Sequence, residues 1–404
     1  MKTTRCLVPI AALLVGCPGM VNGAGFEISE QSARAAGTAN AGTAREGDPS
    51  AAWYNPAALV DGAGLRIGLG ATMALPQLYA RATDHSWSGK SQSSVSVPPH
   101  FYASYARGDF AAGLAANVPF GGNVLWPADW AGRFEVVASR PQFFRLSPFV
   151  GFRFGPLRLA AGPQVDIGSL EIRRNLDFID TEGNVRVLVR GHGLGGHASL
   201  FWDVAERLKV GLSYKSRVRL PLSGGADFQA PLSFVTRTLD QNARTQMNLP
   251  DKLTLGLASG FGQVRAFSDL GWTFWAVHRE TVIDFDSENT PDTVLTHRWK
   301  SSLSARGGVE WDVRPAWTLR AGLYFEQTPV PAERLAPSSP DSDRLGLTCG
   351  GSLPLGRVWS LDLFYEYMAL LSRTSASRDA LLAAYHGHAH FLGLGLRFQG
   401  LTPG

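Results

Sequence analysis

The stretch Trp359-Ser360-Leu361-Asp362-Leu363-Phe364-Tyr365-Glu366-Tyr367 sets an apolar or aromatic residue at every odd position, and both of its acids, Asp362 and Glu366, on the even phase. Period-2 alternation marks a strand with two unlike faces. Working outward, the pattern recurs. Leu392, Leu394, Leu396 and Phe398 stand against Gly393, Gly395 and Arg397, and Trp317, Leu319, Ala321, Leu323 and Phe325 repeat the spacing. Leu208, Val210, Leu212 and Tyr214 oppose Lys209 and Lys215, while Val150, Phe152 and Phe154 oppose Arg153. Phe110, Ala112, Leu114, Ala116 and Val118 form another such row, as do Leu65, Ile67, Leu69, Ala71, Met73 and Leu75.

These segments predict about 14 strands, near 65–75, 99–106, 109–118, 142–154, 157–168, 187–203, 207–221, 245–260, 264–279, 299–311, 316–326, 344–353, 358–370 and 388–398. The connections alternate strictly. Short ones fall at 107–109, 155–156, 203–206, 261–263, 312–315 and 354–357, and long polar ones near 76–98, 119–141, 169–186, 222–244, 280–298, 327–343 and 371–387. A strand in lipid must pair all its backbone groups, so the sheet closes. Membrane barrels have even strand counts, tight periplasmic turns and long outer loops. The fold expected is therefore all-β, a 14-stranded antiparallel transmembrane barrel. Its apolar phase faces lipid, and Arg153, Arg158, Lys209, Lys215, Asp362, Glu366 and Arg397 face the lumen. Trp202, Trp311, Trp317 and Trp359 suit an interfacial belt. A soluble sandwich or propeller also alternates, but the leader and the loop asymmetry count against it.

Composition agrees. Of 404 residues 45% are hydrophobic and only 18% charged, against about a quarter in soluble proteins, and 45 are glycine. Beyond the leader no apolar run reaches the ~18 residues of a membrane helix. The formal charge is +4 without a basic block, which argues against nucleic acid. Residues 1–23 read as a secretory signal: Lys2 and Arg5, an apolar core from Leu7 to Gly16, and a small-residue exit at Val21-Asn22-Gly23. Leu14-Val15-Gly16-Cys17 also has the form of a lipoprotein box, which would make Cys17 a lipidated first residue. With Cys6 in the leader and Cys349 beyond it, no disulfide framework exists. Residues 24–64 are rich in Ala, Gly, Thr and Ser and lack alternation. Too short for a core of their own, they are either a disordered tail or a plug inside the barrel of residues 65–404; the plug is the more economical reading, since a 14-strand interior is too wide for side chains alone to fill.

The mature start Ala24-Gly25-Phe26, Ser32-Ala33-Arg34-Ala35-Ala36-Gly37, and Asp48 to Ala57 ending in Asn55-Pro56-Ala57 resemble the N-terminal hatch of the FadL/TodX outer-membrane transporters. Tyr214-Lys215-Ser216, Asn248-Leu249-Pro250-Asp251, Thr328 to Arg334 and Pro340 to Arg344 match that family's patterns in order. The resemblance implies passive uptake of long-chain fatty acids or other hydrophobic compounds, such as aromatic hydrocarbons. The ligand would pass from a groove among the outer loops to a lumenal pocket, and leave sideways past the hatch. It further implies that Phe26 reaches the pocket, that Arg174 in Ile172-Arg173-Arg174 holds a carboxylate, and that Arg298 or Lys300 supplies a second cation. Gly25, Asn55, Pro56 and Ala57 would fix the hatch. No cofactor is implied. The partners are a hydrophobic ligand and outer-membrane lipid or lipopolysaccharide, and the chain is expected to be a monomer. Two departures stand out: Phe398 is followed by six further residues, and the connections at 119–141 and 169–186 are short for the family.

Other constellations carry less. His386, His388 and His390 share one strand face and look metal-like, but the same phase runs into Leu392 and Leu394, at the rim of the lipid band. Gly191, Gly193, Gly195 and Gly196 resemble a phosphate loop but precede no helix. Arg107-Gly108-Asp109 reads as a hairpin turn. An outer-membrane lipase or protease with a rim active site is the alternative from another class, although no nucleophile elbow appears. A structural or adhesive barrel without a ligand is a third reading. A TonB-dependent receptor is excluded by size.

Overall fold

The computed structural model describes residues 24–400, apart from 62, 93, 179, 232, 235–237, 315–316 and 378–380. The expected leader, with Cys6 and Cys17, lies outside the described residues. Fourteen wall strands form a closed antiparallel barrel. They are β1 (Gly64–Ala82), β2 (Pro99–Arg107), β3 (Phe110–Gly121), β4 (Ala138–Phe154), β5 (Leu157–Asp177), β6 (Glu182–Ala205), β7 (Leu208–Lys215 and Val218–Gln229), β8 (Gln241–Leu249 and Lys252–Phe261), β9 (Val264–Thr273), β10 (Ser302–Arg314), β11 (Trp317–Glu326), β12 (Arg344–Leu355), β13 (Trp359–Thr374) and β14 (Ala383–Gln399). β1 closes the cylinder by pairing with β2 from Gly64↔Ala106 to Ala71↔Pro99 and with β14 from Arg66↔Gln399 to Ala82↔Ala383. No helix among the described residues is long and apolar enough to cross a membrane.

The two faces follow the alternation. Leu323, Leu347, Leu363 and Leu394 are exposed on the outside, whereas Arg158, Glu310, Asp362 and Glu366 are buried in the lumen. The tight turns take left-handed glycine where the reversal needs it, with φ +60° at both Gly108 and Gly155.

Four expectations need correction. The connections expected at 169–186 and 222–244 are largely strand, because β5 and β6 run on to Asp177 and from Glu182, and β7 and β8 to Gln229 and from Gln241. Above the lipid an outward face needs no apolar residues, so the alternation fades while the ladder continues. Ion pairs such as Arg140–Glu171 (3.3 Å) and Arg186–Glu171 (2.9 Å) stand there instead. Secondly, Val118 does not face lipid. β3 and β4 slip register between Asn117 and Phe120, and Val118 is buried against Ile28. Pro119, which has no N–H to give the ladder, sits in the kink.

Thirdly, strands expected to run continuously over 207–221 and 245–260 are each broken, at 216–217 and 250–251. Fourthly, the strand expected over 264–279 stops at Thr273, and a 3₁₀ turn (Trp275–Val277) follows. One carboxylate laces these breaks together. Asp251 accepts from Tyr214 Oη (2.7 Å), from the Arg217 backbone N–H (3.1 Å) and from Arg217 Nε (2.9 Å). Its backbone carbonyl accepts from Phe274 N (2.9 Å). Beyond these breaks Met247, on β8, and Ile283 and Phe285, in the connection after the 3₁₀ turn, are buried in the same hydrophobic cluster as Phe26.

Residues 24–61 occupy the lumen as irregular chain, with two short helices, α1 (Ala33–Ala36) and α2 (Ala51–Tyr54), and a 3₁₀ turn (Pro56–Leu59). Most of this stretch is buried.

Candidate functional site

Part of the high glycine content has a local cause. Where the backbone of Thr38–Thr43 crosses the wall, Gly211, Gly256, Gly308 and Gly322 stand on four strands of the inner face. A β-carbon on any of them would lie 2.1–2.7 Å from the segment, for example 2.1 Å from the Thr43 carbonyl oxygen at Gly211. Polar contacts complete the seat. Asp269 accepts from the N–H groups of Gly42 and Thr43 (both 3.1 Å) and from Thr43 Oγ1 (2.7 Å). Arg306 donates to the Ala39 carbonyl (3.1 Å), and Ala39 N–H donates to Thr348 Oγ1 (3.0 Å).

Glu310 on β10 is the centre of charge. Arg45 (2.9 Å), Arg265 (3.0 Å), Arg34 (3.3 Å) and Arg320 converge on its fully buried carboxylate. At the short-turn end Arg158 meets Glu46 (3.0 Å), Asp61 (2.7 Å) and Asp203, and Lys209 meets Glu46. That salt-bridge ring closes the segment's far end against the wall.

Asn55 is fully buried. Its Nδ2 donates to the carbonyls of Thr43 (2.8 Å) and Leu200 (2.9 Å), and its Oδ1 accepts from Ala57 N–H (3.1 Å), which also reaches Ser199 Oγ (3.1 Å). Pro56 opens the following 3₁₀ turn, where its missing N–H costs nothing. One side-chain amide thus ties two parts of the segment to each other and to β6.

The other end of the segment points toward the long loops. Gly25 N–H donates to Asp341 Oδ2 (3.1 Å), which Thr328 Oγ1 also reaches (2.6 Å), and Asp341 is further held by Arg344. Phe26 then sits in an aromatic nest, with Trp275 at 4.8 Å between ring centroids, Phe120 and Trp299 at 5.9 Å and Phe143 at 6.1 Å. Above it lies a cavity of about 120 Å³, walled by Leu170, Ile172, Val185, Val187, Met247, Ile283, Phe285, Leu295 and Trp299, with Phe26 as part of its lining.

Polar groups enter this greasy space sparingly. Arg174 lines it from β5, with no hydrogen-bond or ion-pair partner among the described residues. Glu135 faces it from a loop, where burial pushes its carboxyl up while it accepts from Leu381 N–H. His278 and His297 stack with centroids 4.3 Å apart, and His297 Nε2 meets Thr281 Oγ1 (3.0 Å). Burial, with Arg334 nearby, pushes His297 down to about 4; burial and its partner ring push His278 down as well. Both imidazoles are therefore neutral near pH 7, leaving Arg174 as the cavity's cation.

The structure brings Phe26 and Arg174 together at one cavity. It does not bring Arg298 or Lys300 there: both are exposed, and neither lines the space. Arg298 adopts φ +47°, which breaks the strand alternation and turns the intervening Trp299 inward instead. Trp275, Trp299 and the stacked histidines were not anticipated from the sequence. Their one legible signal was the density of aromatic and imidazole groups between 272 and 299, which spans the end of the strand expected over 264–279, the connection expected at 280–298 and the start of the strand expected at 299. The rim histidines lie on the outer wall, His386 stacked on Tyr79 (5.1 Å) and His390 Nδ1 hydrogen-bonded with Tyr365 Oη (2.8 Å). Among the described residues they form no group with ligand atoms close enough to share an ion.

Gly25 offers a direct test of the nest. It has φ +69°, and a β-carbon there would lie 2.7 Å from the Trp299 ring and 2.8 Å from Trp275. Gly25→Val is expected to expel Phe26, since the left-handed backbone alone costs about 1–2 kcal/mol for a side chain. Acrylamide quenching of tryptophan fluorescence should rise relative to the wild type. Unchanged quenching would mean that the nest tolerates the side chain.

A family model for outer membrane transport proteins (OMPP1/FadL/TodX) matches residues 16–399. The chain is 25% identical to an outer membrane protein of Neisseria meningitidis serogroup B, over 93% of this chain and 94% of that one. It is 23% identical to the long-chain fatty acid transport protein of Escherichia coli K12, over 44% of this chain and 42% of the relative. Among solved structures, a FadL homologue of Pseudomonas aeruginosa superposes with a TM-score of 0.85 at 19% identity, covering 93% of this chain and 99% of that one. The toluene transporter TodX of Pseudomonas putida gives 0.74 at 16% identity, covering 92% and 99%.

Proposed function

The chain belongs to the OMPP1/FadL/TodX family of outer membrane transport proteins, and on that premise we propose that it takes up small hydrophobic molecules passively, through the lumenal cavity. The observation that carries this reading is a largely apolar lumenal cavity, lined by Phe26, that holds one guanidinium, Arg174, with no partner among the described residues. An apolar ligand gains about 0.8 kcal/mol for each methylene it buries, so such a space collects hydrophobic molecules, and Arg174 suits a carboxylate head.

Volume bears on the ligand. A void of about 120 Å³ is close to the ~150 Å³ that takes up one benzene ring. A single aromatic ring therefore fits as the cavity stands, whereas a long acyl chain requires Phe26 to move. On this reading residues 24–64 are a hatch, gated at Gly25 and Phe26 and anchored at Asn55, Pro56 and Ala57. Residues 65–404 are the barrel, and 1–23 a cleaved signal. Lateral exit at the β3 kink is the reading supported by the contacts there: Glu27 bridges to Phe120, and Ile28 N–H donates to the Pro119 carbonyl (2.8 Å). Moving Phe26 would thus disturb the kinked wall directly. The transporter is proposed to act as a monomer, without a cofactor.

The test is native mass spectrometry of the detergent-purified protein, with uptake of labelled toluene and palmitate in cells lacking other such transporters. Co-purifying apolar ligands and expression-dependent uptake of at least one compound are expected. Uptake equal to that of cells without the protein, for both compounds, would refute the proposal.

A further inference from the structure

On the outer wall, where β13, β14 and β1 approach the long-loop end, one patch is cationic and aromatic and faces away from the lumen. Cross-strand register sets its members side by side: Tyr367 opposite His390, Tyr79 opposite His386, and Lys90, on the short strand Ser88–Lys90, opposite Tyr79. Arg81 follows Tyr79 on the same phase and is exposed, as are Lys90 and His386. Tyr79 stacks on His386 (5.1 Å) and on His388 (6.3 Å), and the Lys90 ammonium lies over the Tyr79 ring (5.8 Å).

Neither Arg81 nor Lys90 has a carboxylate partner among the described residues. β1 and β14 contain no acid at all, and on β13 both acids, Asp362 and Glu366, are buried in the lumen. The remaining acid on this hairpin, Asp84, is occupied by the N–H (3.0 Å) and hydroxyl (2.6 Å) of Ser86. Among the described residues two fixed cations are thus left uncompensated on a surface that otherwise faces lipid.

Height decides what they meet. His386 is twelve residues along β14 from Phe398, which packs on Trp359 at the short-turn end (5.1 Å). At ~3.3 Å per residue and a tilt near 40°, that is roughly 30 Å along the membrane normal, just past the ~25 Å apolar band of such barrels. The patch therefore lies at outer-leaflet head-group level. There aromatic side chains seat at the interface, and basic side chains attract anionic lipid heads.

We propose that Arg81, Lys90 and His386, framed by Tyr79, His388 and Tyr367, bind the phosphate of a phosphorylated lipid head group in the outer leaflet. The charge calls for an anion, the unbroken apolar band below for acyl chains, and the outward aspect for a molecule that resides in the bilayer. The site is independent of the lumenal cavity.

The purified full-length protein is incubated in detergent with bisphosphorylated lipid A, with the same lipid after removal of its phosphates, and with inorganic phosphate alone, then examined by native mass spectrometry. The phosphorylated lipid should be retained about thirtyfold more than the dephosphorylated one, given two fixed cations at the surface. Combined Arg81→Ser, Lys90→Ala and His386→Ala should abolish that preference while heat-modifiable migration on gels stays that of a folded barrel. The paired variant Arg153→Ser, at the opposite end, should keep the preference. Equal retention of both lipids by the wild type would overturn the proposal, as would a preference that survives in the triple variant. Saturation by inorganic phosphate alone would overturn it too, by showing an anion site that does not need the lipid.

Discussion

Replacing Glu310 with alanine is expected to unseat the N-terminal segment and open the lumen while leaving the barrel closed. Arg45 and Arg320 beside it are almost completely buried, and Arg34 nearly so. Breaking a buried ion pair from one side typically costs about 3–5 kcal/mol, because the remaining charge is stranded. Here several guanidiniums lose their counter-charge at once, and two of them, Arg34 and Arg45, belong to the segment. The wall should persist, since β10 is held to β9 and β11 by backbone ladders that the substitution does not touch. Single-channel conductance in planar bilayers should rise markedly, and cells should become sensitive to large hydrophilic antibiotics. Glu310→Gln, which retains hydrogen-bond acceptance, should show a smaller effect. A closed, non-conducting Glu310→Ala protein would show that glycine-seated packing alone holds the segment.

Arg174→Ala carries the second large effect, on ligand discrimination. A hydrogen bond to a charged group contributes about 1.5–3 kcal/mol, which converts to roughly 10–150-fold in affinity. Binding of a fatty-acid or aromatic carboxylate should weaken by that factor, whereas a neutral hydrocarbon such as toluene should change less than about twofold. Arg174→Lys should recover part of the loss, as it keeps the charge without the planar fork. Titrations followed by tryptophan fluorescence suit this measurement, since Trp299 lines the cavity. Equal weakening of both ligand classes would remove Arg174 from head-group recognition and make it a wall residue only.

Much of the architecture is legible in single strands. Trp359–Tyr367 shows by itself which side chains meet lipid and which meet the lumen, because a membrane imposes an apolar outside on every strand crossing it. Failures cluster where that constraint lapses. Above the lipid, β5 to β8 continue without an apolar face, and the sequence reads there as loop. At Val118 the alternation persists in the letters, but a register slip beside Pro119 turns the side chain inward. His297-Arg298-Trp299-Lys300 shows the same limit at the cavity. Its charges attract attention, yet the left-handed turn at Arg298 presents the indole to the interior and the cations to solvent.

From the amino-acid order alone come the closed cylinder, its strand number and its two faces. All three follow from local periodicity and from the need to pair every backbone group in lipid. Only the tertiary structure decides what fills the cylinder. Arg34 and Glu310 are 276 positions apart, and Gly25 and Asp341 are 316. No pattern within a strand or turn encodes such a meeting; it arises because closure brings distant strands around one buried segment.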